Sequence, residues 1–246
     1  MNTKMNKSNL IFLDTETTGR ENNDRLCQLA YKFEGAEKEA LFKPPVPISI
    51  DAMAVTHITN KMVANQPPFA GSEMQKKLNE IFSAGNILVA HNAAFDAEML
   101  KRERVEIKNI IDTHKIVQVL DPEAEIPRYA LQYLRYYFDL EVEDAVAHSA
   151  MGDVRVLEKL FDYLFEKMMK EIGDETKVLE KMLEISAKPI FIKKFSFGKY
   201  KGMLVGEVAM NDLGYLKWLL DEKIKTRDNG GDNDENWIYT LEHYLK

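Results

Sequence analysis

An unbroken apolar run, Leu10-Ile11-Phe12-Leu13, leads directly into Asp14 and, two residues on, Glu16. Four consecutive apolar residues with no polar alternation read as a strand buried within a sheet. Side chains of a strand alternate between faces, so Asp14 and Glu16 at the strand's end project to the same side. A sheet therefore opens the fold, and two carboxylates converge at the tip of its first strand.

The following segments extend that plan. Leu26 to Phe33 and Glu39 to Phe42 read as two more strands of a meander, and Ile87 to Ala90 as a further strand. A helix is predicted from about Ala93 to Arg104, a short strand near Ile110, and helical patterns through Tyr137. The clearest helix runs from Asp153 to Met168, with Leu157, Leu160, Phe161, Leu164, Phe165 and Met168 on one face. Strands followed by alternating strands and helices belong to the α/β class, here a mixed sheet flanked by helices. At 246 residues the chain exceeds one ordinary domain. The expected division is a first domain over 1–170, a charge-rich connector over 171–190, helical or partly ordered and containing Pro189, and a small C-terminal α+β module over 191–246.

Composition narrows the function classes. The segment from Met1 to Asn9 is polar and the apolar run behind it too short for a signal peptide or membrane span, so a cytoplasmic address without a membrane partner is expected. Cys27 is the single cysteine, which excludes an internal disulfide and a cysteine-based structural zinc site, and it reads as a small apolar strand residue. With 40 acidic against 33 basic residues the net charge is −7, which argues against a broad grip on duplex backbone. A carboxylate cluster loaded with cations can still engage one phosphodiester at a chain end.

Two later acids stand where charge is costly. Asp96, in His91-Asn92-Ala93-Ala94-Phe95-Asp96, shares a helix face with Met99 and Leu100, and Asp153 shares the stripe of Leu157. An acid early in a helix also suits the macrodipole, so each position taken alone has a structural explanation. His148 would sit about 140° from Asp153 on an ideal helix, which sets it before the helix, with Ser149 as the cap.

The stretches Phe12-Leu13-Asp14-Thr15-Glu16-Thr17-Thr18-Gly19, His91 to Asp96 and His148 to Asp153 together resemble, in order and context, the three motifs of the DEDD exonuclease superfamily in its histidine (DEDDh, DnaQ-like) subclass. The tyrosine subclass would place Tyr where Ser149 stands. The resemblance covers roughly residues 9 to 168. It implies a ribonuclease H-like fold and a 3′→5′ exonuclease in which Asp14, Glu16, Asp96 and Asp153 hold two divalent ions, Mg²⁺ or Mn²⁺, with Asp14 bridging them. It implies that His148 is the general base for the attacking water, a role its ordinary pKa near 6.5 suits. Ala54 to Thr59 is similar to the segment that lies against the terminal nucleotide. His57, the chain around Thr15 and Thr17, and Asn92 with Phe95 are thus expected near substrate, while for Asn92 and Phe95 internal hydrogen bonding and packing stays an alternative.

From Phe191 the character changes. Lys193, Lys194, Lys199 and Lys201 interleave with Phe191, Phe195, Phe197 and Tyr200, and Gly198 and Gly202 suggest a hairpin. Helical patterns follow at Leu213 to Lys225 and Trp237 to Leu245, separated by a stretch from Arg227 to Asn236 polar enough to be mobile. Phe195 to Gly202 and Gly214 to Leu220 resemble the C-terminal module of exonuclease X-like proteins. Basic and aromatic groups together could hold single-stranded nucleic acid, or the aromatics could form a miniature core solvated by the lysines. Deleting 191–246 should weaken substrate binding in the first case and only stability in the second. The substrate expected from this resemblance is a DNA 3′ end, single-stranded DNA foremost, in repair or end trimming. The alternatives are an RNA 3′ trimming exoribonuclease or oligoribonuclease and, since a fold does not fix activity, a non-catalytic accessory binding protein.

Overall fold

A computed structural model describes residues 7–142, 149–229 and 234–246. Its sheet has five strands, β1 (Leu10–Thr17), β2 (Leu26–Phe33), β3 (Ala36–Leu41), β4 (Ile87–Ala90) and β5 (Asn109–Asp112), in the order β3-β2-β1-β4-β5. The first three form the expected antiparallel meander, and β1, β4 and β5 run parallel. β1 is thus central, which explains the apolar run: Leu10, Ile11, Phe12 and Leu13 are all buried. β1 is longer than its apolar part. Asp14, Thr15 and Glu16 still pair with Ala30, Leu29 and Gln28 of β2, so the two acids lie within the strand near its end, where the sequence sets them.

The helices are α1 (Ile50–Thr56), α2 (Asn60–Val63), α3 (Glu73–Ser83), α4 (Ala93–Arg102), α5 (Thr113–Val119), α6 (Leu131–Tyr137), α7 (Ala150–Ile172), α8 (Glu175–Ser186), α9 (Val205–Asn211), α10 (Leu213–Asp228) and α11 (Glu235–Tyr244). Alternation along β1 feeds two layers. Ile11 and Leu13 join Leu78, Ile81 and Phe82 of α3 and Ala93 and Leu100 of α4 in one cluster. Phe12 meets Phe161 of α7 edge to face, with ring centroids 5.4 Å apart. Cys27 is fully buried with Ile48, Ile58 and Val63, and burial pushes its thiol up to about 12.

The chain separates into two compact units, one of Met1–Val117 with Arg128–Ser186, the other of Gln118–Pro127 with Ala187–Lys246. Residues 171–190, expected as a connector, hold α8, which packs on β5 within the first unit and buries Val178, Met182 and Ile185. In the second unit Phe195, Val205, Val208, Leu216, Leu219, Trp237 and Leu241 form a small core of their own. The expected hairpin is a single antiparallel bridge, Lys194 to Leu204, closed where Gly202 N–H donates to the Phe195 carbonyl at 2.7 Å. Gly202 has φ +90°, open to glycine and strained for other residues. Among the described residues no helix is long and apolar enough to cross a membrane.

Candidate active site

The site follows from which face of β1 each side chain occupies. Asp14 and Glu16 continue the face of Leu10 and Phe12, the one α7 covers. Asp153 lies on α7 eight residues before Phe161, about two turns along the same stripe. The carboxylates of Asp14, Glu16 and Asp153 consequently meet, with oxygens that all lie within 4.8 Å of one another. α7 begins at Ala150, three residues earlier than the sequence pattern indicates, and Ser149 caps it by accepting from Gly152 N–H at 3.4 Å. His148 lies outside the described residues.

Asp96 sits in the first turn of α4, 5 % exposed, and the group of three does not extend to it. Its Oδ1 accepts from the Thr15 backbone N–H at 3.0 Å and from the Thr15 hydroxyl at 2.6 Å. Burial raises the Asp96 carboxyl above the usual carboxylate range while the two Thr15 hydrogen bonds pull it down. Burial raises Asp14 well above the usual carboxylate range, assisted by the charges of Asp96, Glu16 and Asp153. Glu16 is pushed up to about 7 by burial and then by Asp153 and Asp96. Among the described residues no lysine or arginine pairs with Asp14, Glu16 or Asp96. Such a concentration of half-buried and buried, mutually repelling carboxylates would be stabilised by a cation. Oxygen-only donors suit a hard divalent ion, so the residues present fit one.

The residues expected near substrate divide. Thr15 is buried, and both its N–H and its hydroxyl donate to Asp96, so it braces a site acid. Thr17 is also buried, its hydroxyl donating to the Gly19 carbonyl at 2.6 Å. His57 is exposed at the C-cap of α1 with φ 59°, and its N–H donates to the Met53 carbonyl. Asn92 precedes α4 with φ 65°, a conformation asparagine tolerates better than most residues. Its N–H donates to Asp112 Oδ1 at 3.0 Å, and Phe95, half-buried, donates its N–H to the Asn92 carbonyl.

Sequence reasoning missed three polar residues around this frame. Asp112, at the end of β5, also accepts from the N–H of His114 at 2.9 Å, tying the β4–α4 turn to the start of α5. His91 is half-buried, and its Nε2 donates to the Tyr129 carbonyl at 2.6 Å, which fixes the start of α6. Burial, then the neighbouring His114, lowers its pKa to about 3, so it is neutral at ordinary pH. Gln132 of α6 donates through Nε2 to Asp153 Oδ1.

The chain matches the family described as Exonuclease over residues 11–161 and the Exodeoxyribonuclease X-like C-terminal family over 195–223. It belongs to the exonuclease family. Within that family it is 34 % identical over 172 residues to the DNA polymerase III subunit epsilon of Treponema pallidum (strain Nichols), covering 65 % of this chain and 78 % of the relative. To Exodeoxyribonuclease 10 of Escherichia coli (strain K12) it is 30 % identical over 248 residues, 96 % of this chain and 99 % of the relative. Among solved structures, Exonuclease X in complex with 5′ overhanging duplex DNA matches with a TM-score of 0.54 and 26 % identity, over 72 % of this chain and 99 % of that one. Exonuclease I matches with a TM-score of 0.54 at 18 % identity, over 70 % of this chain and 42 % of its own, a likeness of fold alone. The ribonuclease H-like exonuclease fold and an acidic cluster fit for a divalent metal are thus both present.

Proposed function

We propose that this chain is a metal-dependent 3′→5′ exodeoxyribonuclease that releases nucleoside 5′-monophosphates one at a time from DNA ends, in repair or end trimming. The observation that carries the reading is the meeting of Asp14, Glu16 and Asp153 within 4.8 Å on a chain that aligns nearly end to end with an exodeoxyribonuclease. The net charge of −7 favours engagement of a single-stranded end over tracking along a duplex.

In this reading Asp14, Glu16, Asp96 and Asp153 hold two Mg²⁺ or Mn²⁺ ions, which supply neutralisation of the charge that develops at phosphorus during in-line displacement. Thr15 keeps Asp96 oriented, and its two hydrogen bonds favour the ionised carboxylate. Helix α7 sets Asp153 against the β1 acids. His148, placed before α7 by the sequence, takes the proton of the attacking water. His57, Asn92 and Phe95 are the residues assigned to the terminal nucleotide, and Thr15 and Thr17 shape its floor from beneath.

The test is a gel time course on matched 5′-labelled single-stranded DNA and RNA with Mg²⁺, Mn²⁺ or chelator, beside Asp14→Ala. The expected result is laddered shortening, faster on DNA, lost with chelator and with the substitution. Faster shortening of RNA would overturn the substrate, and shortening of neither strand would overturn the activity.

A further inference from the structure

The amide of Gln132 is divided between a strong contact and an unmade one. Its Nε2 donates to Asp153 Oδ1, while its Oε1 is buried and has no hydrogen-bond partner among the described residues. A buried acceptor left unpaired is costly, and a side chain of the same length without polar atoms would avoid that cost. The orientation is forced: turning the amide over would set oxygen against the Asp153 carboxylate. α6, which carries Gln132, is itself fixed, by buried Leu134 and by the hydrogen bond from His91 to the Tyr129 carbonyl just before it. The donor is therefore presented to Asp153 from a braced position.

We propose that Gln132 is a positioning residue for metal binding: its N–H holds Asp153 in the orientation that faces Asp14 and Glu16. This rests on the reading of these carboxylates as metal ligands. A carboxylate with one oxygen gripped cannot swing freely about its Cβ–Cγ bond, so the cluster is arranged before a cation arrives. The unpaired oxygen is retained because the same amide supplies the grip. Partners of metal ligands commonly alter affinity by about ten- to a hundredfold when removed.

The experiment measures Mn²⁺ binding to the full chain by electron paramagnetic resonance of free Mn²⁺, and melting in chelator, for wild type, Gln132→Met and Gln132→Glu. Gln132→Met keeps the length and removes both polar atoms. It should raise the Mn²⁺ dissociation constant about tenfold with a chelator Tm equal to or above wild type. Gln132→Glu, which sets one carboxylate against another, should weaken binding at least as much. In turnover, the Mn²⁺ concentration for half activity should shift by the same factor while KM for DNA stays put. Wild-type Mn²⁺ affinity in Gln132→Met would overturn the proposal. So would a large fall in its chelator Tm or a failure to fold, either of which would make the contact a structural one. A wild-type chain that binds no Mn²⁺ would instead overturn the metal-ligand reading beneath it.

Discussion

Thr15 and Asp96 are 81 residues apart in sequence, yet one accepts both polar hydrogens of the other. Thr15→Val removes one of two bonds that favour the ionised form of a buried carboxylate, and charge-assisted hydrogen bonds of this kind contribute about 1.5 to 3 kcal/mol. Turnover should fall by roughly tenfold to a hundredfold with KM for DNA unchanged; a raised KM would return Thr15 to the substrate surface. Asp14 behaves in the opposite sense. Its charge is opposed by burial and three acids, so Asp14→Asn should raise the Tm in chelator while abolishing the rise that Mn²⁺ gives the wild type, as differential scanning fluorimetry would record. His91 supplies a pH dependence. Its folded pKa of about 3 lies below the ordinary 6.5, so the unfolded chain binds the extra proton. The His91 contribution to stability is complete above 6.5 and is lost as pH falls from 6.5 towards 3, at up to about 1.4 kcal/mol per pH unit. Urea midpoints between pH 7 and 4 should fall more steeply for wild type than for His91→Asn. The acids were legible in the sequence because charge beside an apolar stripe is anomalous wherever it occurs. Thr15 as a brace and Gln132 as a grip were not, because their partners are 81 and 21 residues away and nothing local marks them.

At the level of elements, β1 and α7 form the chassis of the site. Phe12 and Phe161 pack edge to face, and Phe161 is fully buried and stacks on Phe165 6.0 Å away. Phe161→Ala should cost about 3 to 5 kcal/mol in urea unfolding. It should also lower turnover at subdenaturing temperature, since the helix it seats carries Asp153; full activity in the folded variant would mean Asp153 is held independently of this contact. These two elements were legible because an apolar run and a three-and-four stripe are strong periodic signals. Helices α1, α2 and α3 had no counterpart in the sequence reading. α1 leaves Ile50 80 % exposed and Val55 56 % exposed, so its apolar residues trace no buried stripe. α3 did carry a usable signal, Ser72 capping ahead of Leu78, Ile81 and Phe82. α8 looked like a connector because its charges outnumber the three residues it buries.

For the molecule as a whole, the decisive feature is the second compact unit, which takes Gln118–Pro127 from the middle of the chain. Lys193 and Lys194 are turned onto the chain itself, while Lys199 and Lys201 are exposed. Lys193 Nζ donates to the carbonyls of Gln118 at 2.9 Å and Asp121 at 2.6 Å, and Lys194 Nζ to that of Ala124 at 2.9 Å. Lys199 pairs with Asp212 at 2.9 Å, Phe195 and Phe197 pack on Trp237, and Tyr200 and Tyr215 pack on Phe195. Hydrogen exchange on the amides of 118–127 should therefore quicken in Lys193→Met, with shortening of single-stranded DNA slowed less than twofold; a large loss of DNA binding would return Lys193 to the substrate. Chain continuity extends the point. The backbone crosses between the units at 117/118, 127/128 and 186/187, so the C-terminal residues are not an appendage that a gene could gain or shed by joining ends. A fragment ending at 186 retains half of a handshake, and the fragment beginning at 187 carries the other half. Supplied as separate polypeptides, the two should reassemble, each carrying the template the other needs.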